Sequence, residues 1–337
     1  MLNLAKIDLN AIRDNALKVK KGIGNAKLCA VVKADAYGHG APVVANALYS
    51  ICDVFAVALL EEGIALRQSG VDKDILLLIP PFLSDIKNAV RYSITLAVDN
   101  PKTVYQLQTE CEKQDKTCKV HIKFNSGMNR LGTDLDGVKS ILTAIDECER
   151  VFVDGIFSHL KSPENLKSVE KQRDKFLLAN NIVKGYNNKA ISHLSASGGF
   201  LQGQIFDMVR IGILLYGYLP FETKSFSVTP AMQVFAPVVT ERNVKKGQSA
   251  LYGNLTAKSD LDLSIIRYGY ADGLQRKIVD NQFNNRCMDV TAIKSLSPTN
   301  GFACVMDNAE QIAKNQNTIS YEVLTKCAMR AQRIYIN

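Results

Sequence analysis

A lysine at the end of an apolar segment is the residue of this sequence whose chemistry is clearest. Lys33 follows Ala30-Val-Val and precedes Ala-Asp-Ala-Tyr37-Gly-His-Gly40. An amine backed by apolar residues loses hydration, which lowers its pKa and makes it nucleophilic. Such a lysine can form a Schiff base with an aldehyde, whereas an ordinary lysine at a strand end extends its amine into water. The elements that hold Lys33 decide between these two interpretations.

Short apolar segments alternate with helical patterns through the first two thirds of the chain. This succession predicts a parallel sheet, and eight units over about 200 residues favour an α/β fold of the (β/α)8 TIM-like barrel type over an open doubly wound sheet. The predicted strands are Lys27–Lys33, Asp53–Leu59, Asp74–Ile79, Ile94–Val98, Lys119–Phe124, Val151–Phe157, Ala190–Leu194 and Phe206–Ile211. The carboxyl ends of barrel strands form the active-site face, so we expect Lys33 there.

The pattern changes near Phe221–Pro230, where polar residues and a proline indicate a domain boundary. Beyond it, β-rich segments follow one another with few helical patterns between them. These segments are Met232–Thr240, Ser249–Tyr252, Leu263–Tyr268, Met288–Ile293 and Ala303–Met306, and Asn308–Asn315 is typical of a short helix. We therefore predict a barrel domain over residues 1–229 and a C-terminal, mostly β domain over residues 230–337.

Composition and charge exclude several classes of protein. Apolar residues make up 47% of the chain and charged residues 22%, as in soluble globular proteins. The sequence has no apolar run long enough for a membrane span and no signal-peptide pattern, which predicts a cytoplasmic protein. The net charge of +8 is diffuse and accompanies no nucleic-acid motif, so we expect neither nucleic acid nor membrane as a partner. Eight cysteines without a C-x-x-C pair and four histidines without a zinc-type cluster predict reduced thiols and no metal.

The segment Val31-Val-Lys-Ala-Asp-Ala-Tyr-Gly-His-Gly40 resembles the pyridoxal-phosphate attachment motif of the alanine racemase family. Further blocks resemble the family in the family's own order across nearly the whole chain. They are residues 123–132 (KFNSGMNRLG), 210–217 (RIGILLYG), 249–257 (SALYGNLTA), 269–273 (GYADG) and 286–289 (RCMD). The resemblance implies an enzyme, an amino-acid racemase that uses pyridoxal 5'-phosphate.

By this resemblance, Lys33 carries the cofactor covalently. The resemblance places six further residues around the cofactor: Tyr37, His159, Ser197, Arg210, Gly212 and Ile213. It implies phosphate binding by Tyr37, Ser197 and the backbone after Arg210, packing of a histidine against the ring, and contact of Arg210 with the pyridine nitrogen. The fold prediction agrees, because Ser197 and Gly212 lie in the loops after predicted strands seven and eight, where barrel phosphate sites are often built.

Arg210 also indicates the type of reaction. An arginine does not give up its proton, so it leaves the pyridine nitrogen unprotonated. The ring is then a weaker electron sink than it is beside a carboxylate, which limits transamination. Decarboxylases of the same fold group usually carry an acid at this position, so Arg210 favours a racemase.

The resemblance also implies a substrate-binding set. Arg130 would reach the cofactor's phenolic oxygen and the substrate carboxylate, for which a guanidinium fork is suited. Tyr270 would line the entrance, the Met288 N–H would bind the carboxylate, and Asp289 would shape the same pocket. Lys123 matches a lysine that is carbamylated in several members, and carbamylation would turn this cation into an anion that orients Arg130.

Tyr252 aligns with the family's second catalytic base. Racemisation removes a proton from one face of the α-carbon and returns one on the other, which Lys33 and Tyr252 on opposite faces would do. In the family this tyrosine comes from the partner subunit, which implies a homodimer. The sequence therefore predicts two-base interconversion of L-alanine and D-alanine, which in the family supplies D-alanine for peptidoglycan.

Three residues depart from the family pattern: Asn125 replaces an aspartate, Ala196 replaces an asparagine, and Met329 replaces a tyrosine. Met329 is flexible and donates no hydrogen bond, which leaves a serine or broad-spectrum amino-acid racemase as an alternative. A same-fold decarboxylase and a non-catalytic cofactor carrier are weaker alternatives. Arg210 and Tyr252 oppose the decarboxylase, and the predicted second domain opposes the carrier.

Overall fold

Within residues 1–249, eight parallel strands form one sheet. Their bounds are β2 (Lys27–Val31), β3 (Val54–Val57), β4 (Ile75–Leu77), β5 (Thr95–Val98), β6 (Cys118–Lys123), β7 (Val151–Phe157), β8 (Ile191–His193) and β9 (Met208–Ile211). Each overlaps one of the predicted strands. The structure is a computed structural model that describes residues 1–249, 251–252, 256–276, 286–294 and 301–337.

The sheet closes on itself. Its strand order is β8-β7-β6-β5-β4-β3-β2-β9, with parallel pairing between neighbours. The two end strands are joined by hydrogen bonds: the Arg210 N–H donates to the Ser195 carbonyl at 2.9 Å, and the Asp207 carboxylate accepts from the Ser192 N–H at 2.8 Å. The predicted TIM-like barrel is thereby confirmed.

Helices precede and follow the barrel strands, and most of them cover the outside of the barrel. Their bounds are α1 (Leu9–Ile23), α2 (Lys33–Tyr37), α3 (Ala41–Leu48), α4 (Leu60–Gln68), α5 (Ile86–Arg91), α6 (Pro101–Gln114), α7 (Leu135–Asp146), α8 (Leu166–Tyr186) and α9 (Ser197–Leu201). Helix starts follow local sequence: the Asn100 side chain accepts from the Thr103 N–H ahead of α6, as helix-capping residues do. In the described part of the chain, every helix is too short or too polar to span a bilayer.

The second region is built around a mixed sheet, as its β-rich sequence predicted. In the described residues the order is β12-β11-β10-β1-β14, and β13 also pairs with β10. The bounds are β10 (Met232–Val244), β11 (Leu261–Ile266), β12 (Thr291–Lys294), β13 (Phe302–Met306) and β14 (Ala331–Ile336), with helices α10 (Ala309–Gln316) and α11 (Ser320–Cys327). The sequence predicted α10 but not α11. The predicted strand Ser249–Tyr252 lies partly outside the described residues, and Ser249 forms an isolated bridge with Thr256.

The N-terminal strand β1 (Asn3–Asp8) belongs to this second sheet. It pairs antiparallel with β10 and parallel with β14, where Asn3 lies opposite Ala331. The sequence did not predict β1, because its partners lie more than 200 residues away and leave no local pattern. The division at residues 229 and 230 stays a prediction, and β1 crosses from the first region into the second sheet.

A buried asparagine holds the segment that connects the two regions. Asn15, on α1, donates to the Leu215 carbonyl at 3.2 Å and to the Thr229 carbonyl at 2.8 Å, and its own oxygen accepts from the Thr229 N–H at 2.9 Å. The second sheet is thereby attached to the barrel immediately before β10 begins.

Candidate active site

The structure brings the predicted cofactor residues, together with Lys123 and Arg130, to one end of the barrel. They lie at or just beyond the carboxyl ends of β2, β6, β7, β8 and β9, where the strands of a parallel barrel present their side chains to one face. The residues are Lys33, Tyr37, Lys123, Arg130, His159, Ser197, Arg210, Gly212 and Ile213.

The backbone after Lys33 has an unusual conformation. Ala34, Asp35, Ala36 and Tyr37 have φ values between 50° and 55°, so α2 is left-handed over these residues. Left-handed backbone costs about 1–2 kcal/mol for each residue other than glycine, or about 4–8 kcal/mol for this turn. Strain of this size persists only where surrounding contacts enforce it, and it is typical of functional sites. The turn sets the positions of Lys33 at its start and Tyr37 at its end.

Lys33 is half-buried, and its surroundings favour the neutral amine. Burial lowers the pKa of Lys33, and the Arg130 charge lowers it further, whereas Glu62 acts in the opposite direction. Glu62 also accepts from the Ala34 N–H at 2.6 Å, directly after the lysine. The sequence did not identify Glu62, since a glutamate in the first turn of α4 is an ordinary helix residue. A neutral amine at the barrel mouth can attack an aldehyde, as predicted for Lys33.

Three hydrogen-bonding groups converge beside the turn. The Gly212 N–H donates to the Ser197 hydroxyl at 3.3 Å. A Cβ atom built on Gly212 would lie 2.5 Å from the Tyr37 hydroxyl oxygen, so only glycine allows this close approach. Burial raises the pKa of Tyr37, which keeps its hydroxyl protonated and able to donate. Tyr37, Ser197 and Gly212 form a donor cradle, and Ile213 continues directly from it. Donors in this arrangement suit a phosphate group.

Arg210 is held rigidly in the barrel interior. One terminal nitrogen donates to His193 Nδ1 at 2.9 Å and to the His193 carbonyl at 2.8 Å, and the other donates to the Ser158 carbonyl at 2.6 Å. Among the described residues, the Arg210 hydrogen bonds come from its two terminal nitrogens, which leaves the Nε–H available to a ligand. Burial lowers the pKa of Arg210 to about 10, so it stays charged at neutral pH.

A chain of hydrogen bonds behind Arg210 fixes the tautomers of two histidines. Arginine only donates, so His193 Nδ1 accepts and His193 Nε2 carries the proton. His193 Nε2 lies 2.7 Å from His121 Nδ1, which must therefore accept, and His121 Nε2 lies 3.4 Å from the Asp154 carboxylate. His121 and Asp154 were not predicted from the sequence. A signal was present for His121, which lies two positions before Lys123 on β6 and so shares its face of the strand.

The site collects positive charge. Burial lowers the pKa of His159 to about 3, and Arg210, Arg130, Lys123 and Lys33 lower it further. Lys123 is only 7% exposed, and burial together with the same arginines lowers its pKa to about 7. Its Nζ atom donates to the Leu78 carbonyl at 2.9 Å. Cations gathered in this way favour anionic ligands.

The asparagine at the family's aspartate position shapes a turn. The Asn125 side-chain oxygen accepts from the N–H groups of Gly127 at 3.1 Å and Asn129 at 3.0 Å. An aspartate would accept the same two bonds and would add a negative charge. The substitution therefore preserves the loop that leads to Arg130 and leaves the site more positive.

The remaining predicted residues lie in the second region. Tyr252, Tyr270 and Met288 expose 68%, 37% and 54% of their surfaces, and a single chain does not bury them around Lys33. The segments of Tyr270 and Met288 are in contact, since the Ala271 N–H donates to the Met288 carbonyl at 3.0 Å. A carboxylate oxygen of Asp289 lies 2.9 Å from a terminal nitrogen of Arg330. Met329 is 69% exposed.

Comparisons with known proteins give one consistent result. Two family models match this chain: alanine racemase, N-terminal domain, over residues 7–220, and alanine racemase, C-terminal domain, over residues 231–335. The alanine racemase of Borreliella burgdorferi (strain ZS7) is 30% identical, over 98% of this chain and 96% of the relative. The solved alanine racemase of Clostridium difficile 630 has a TM-score of 0.92 at 28% identity, covering 100% of this chain and 96% of that chain. The Bartonella henselae alanine racemase, solved with covalently bound pyridoxal phosphate, has a TM-score of 0.86 at 27% identity, covering 100% of both chains.

Proposed function

This chain belongs to the alanine racemase family of isomerases, and we propose that it interconverts L-alanine and D-alanine with pyridoxal 5'-phosphate held covalently by Lys33. The observation that carries the proposal is the combination of a desolvated Lys33 amine with the donor cradle of Tyr37, Ser197 and Gly212.

The residues of the site fit the three polar ends of the cofactor. The Lys33 amine suits the aldehyde, the donor cradle suits the phosphate, and the Arg210 Nε–H suits an unprotonated pyridine nitrogen. When bound, pyridoxal phosphate withdraws electrons from the α-carbon of an amino acid and so acidifies its proton. A charged Arg210 restrains this withdrawal, which favours return of the proton over transfer of the amino group.

We propose that Lys33 and Tyr252 exchange the α-proton on opposite faces. The Lys33 amine, which would be freed when the substrate's amino group replaces it on the cofactor, accepts the α-proton, and its lowered pKa increases the neutral fraction. The Tyr252 hydroxyl serves the other face from the partner subunit of a homodimer. The 68% exposure of Tyr252 in a single chain supports this arrangement. His159 packs against the cofactor ring as a neutral imidazole, in keeping with its low pKa.

We further propose that Arg130 and the Met288 N–H bind the substrate carboxylate, with Asp289 and Tyr270 shaping the pocket. The positive surroundings of Arg130 support the recognition of a carboxylate. Lys123 is the proposed carbamylation site, because carbamylation needs a neutral amine and the pKa of Lys123 is about 7. The proposed setting is the cytoplasm, where the product supplies peptidoglycan synthesis.

The experiment is α-proton exchange in heavy water. Purified protein loaded with pyridoxal phosphate is given L-alanine or L-serine, and deuterium uptake and product chirality are measured. We expect exchange with D-alanine as the dominant product. Dominant D-serine would retain the two-base chemistry and change the substrate, with Met329 as the residue to examine. Bound cofactor without exchange of either amino acid would contradict the assignment of the two bases.

A further inference from the structure

Arg333, near the end of the chain, contacts the left-handed turn that follows Lys33. Arg333 lies on β14, and its Nε–H donates to the Gly38 carbonyl at 2.9 Å. One of its terminal nitrogens lies 2.6 Å from the Asp35 carboxylate. Because a guanidinium holds its donors in a rigid fork, one side chain sets the positions of both groups.

Other contacts hold the turn from within its own segment. The Asp35 carboxylate accepts from the Ala41 N–H at 2.7 Å. Burial lowers the pKa of His39 to about 4, so its imidazole is neutral, and Nδ1 carries the proton that faces the carbonyls of Ala36 at 2.9 Å and Tyr37 at 3.1 Å. These hydrogen bonds join groups of the segment that contains the turn, so they shape the turn without linking it to the rest of the molecule.

Contacts from outside the segment fix that place at both ends of the turn. Glu62 of α4 binds the Ala34 N–H at the start, and Arg333 binds the end. The end also packs tightly on the second region, since a Cβ atom on Gly38 would lie 2.5 Å from the Leu324 carbonyl. The barrel therefore anchors the side of Lys33, and the second region, together with the Tyr216 ring 4.8 Å from that of Tyr37, anchors the side of Tyr37.

We propose that Arg333 is a positioning residue that holds Lys33 and Tyr37 at the separation that one cofactor molecule requires between its aldehyde and its phosphate. The proposal rests on the proposed function, because it takes Lys33 and the donor cradle as the cofactor site. Arg333 touches neither the Lys33 amine nor the donor cradle, and it acts through Asp35 and Gly38.

The test compares R333Q, R333K and the double variant D35N/R333Q with R13Q. Arg13 is the matched control, because it reaches the side chain of Asn337, directly after β14, and touches no residue of the turn. Hydrogen exchange of the amides of residues 34–40 is measured in cofactor-free protein, and the release rate of pyridoxal phosphate is measured in loaded protein. We expect the amides of residues 34–40 to exchange faster in R333Q than in the wild type, with no change elsewhere. We expect R333Q to release the cofactor on the order of tenfold faster than the wild type.

The variants R333K, D35N/R333Q and R13Q each have an expected result of their own. We expect R333K to recover part of the cofactor retention, because one ammonium cannot serve both Asp35 and Gly38 in the same geometry. D35N keeps an oxygen that can accept from the Ala41 N–H and removes the carboxylate charge that Arg333 binds. Because Arg333 is already absent from R333Q, we expect D35N/R333Q to release the cofactor no faster than R333Q. R13Q behaves as the wild type in both measurements.

Three results would overturn the proposal. Unchanged exchange of residues 34–40 in R333Q means that Arg333 does not hold the turn. Faster exchange throughout the chain means that Arg333 acts on global stability. Faster local exchange with unchanged cofactor release means that the turn does not position the cofactor. A wild-type chain that forms no covalent bond to pyridoxal phosphate would refute the proposed function itself, and the positioning role falls with it.

Discussion

Burial lowers the pKa of both Lys33 and Lys123, but the two lysines differ in how open they are to a ligand. Lys123 is 7% exposed, and its amine donates to the Leu78 carbonyl and lies 4.2 Å from the centre of the Phe157 ring. Lys33 is half-buried at the barrel mouth and begins the turn that ends at Tyr37. Of the two amines, the one open to a ligand and adjacent to the donor cradle is Lys33, whereas Lys123 acts on the charges around it.

Replacement of Lys33 tests its covalent role. We expect K33A to lose the absorbance band of lysine-bound pyridoxal phosphate and to lose α-proton exchange, because no other amine reaches the aldehyde in the same geometry. The control is K6A, which removes an exposed lysine from β1. An unchanged absorbance spectrum in K33A would remove Lys33 from this role.

Lys123 gives the stability a pH dependence of defined sign. Its pKa is about 7 in the folded chain against 10.5 for an ordinary lysine. Between these values the unfolded chain binds the proton and the folded chain does not, so this contribution to the free energy of unfolding rises with pH. We expect the free energy of unfolding of the wild type, relative to that of K123M, to increase as the pH rises from 7 to about 10.

The measurement is denaturant unfolding of cofactor-free protein in buffers without carbon dioxide. K119M is the control, since Lys119 lies on the same strand with its side chain 51% exposed. A difference between wild type and K123M that does not change with pH would show that Lys123 is not a buried free amine, and mass spectrometry would then reveal whether it carries a carbamate.

At the scale of elements, the predictable parts are those with a local cause. The barrel strands are short apolar segments between helices, and this pattern predicted each of them. The left-handed turn has no such signal, because Ala34 and Ala36 disfavour this conformation and distant residues enforce it. Strands β1 and β14 were missed for the same reason: their pairing joins residues from opposite ends of the sequence.

Helix α1 also contributes a buried polar side chain, whose effect on the free energy of unfolding can be measured. Asn15 is fully buried and satisfies the Thr229 N–H and two carbonyls, so N15A leaves these groups without partners. We expect N15A to lower the free energy of unfolding by about 2–4 kcal/mol, as loss of several buried hydrogen bonds does. N10A, on the exposed face of the same helix, should change it by less than about 0.5 kcal/mol. Equal effects of the two variants in urea unfolding would contradict a linking role for Asn15.

At the scale of the molecule, we propose that the site is divided between chains. The cofactor residues meet at the barrel mouth, whereas Tyr252, Tyr270 and Met288 lie exposed on the second region. The family resemblance identified both groups, because their motifs are local in sequence. The contacts that join distant segments of the site were not predicted, because they form only when the chain folds. The contacts of His121 and Arg333 are examples.

Mixing two inactive variants tests the shared site. If Tyr252 acts on the partner's cofactor, a dimer of one K33A chain and one Y252F chain contains one intact site. Random reassociation makes half of the dimers mixed, so we expect about one quarter of the wild-type racemase activity. The measurement is the racemisation rate after joint refolding, with each variant refolded alone as the control. Activity no greater than that of the separate variants would mean that both bases come from the same chain.

The pairing of β1 with β14 also bears on the order in which a growing chain acquires its function. Roughly 320 residues separate the two strands, and synthesis at about 5–20 residues per second places them roughly 15–60 s apart. The barrel strands are complete long before β14 leaves the ribosome, and Arg333 emerges with β14. A nascent chain therefore presents Lys33 before Arg333 can reach the turn beside it, and under the proposed positioning role firm retention of the cofactor waits until β14 has emerged.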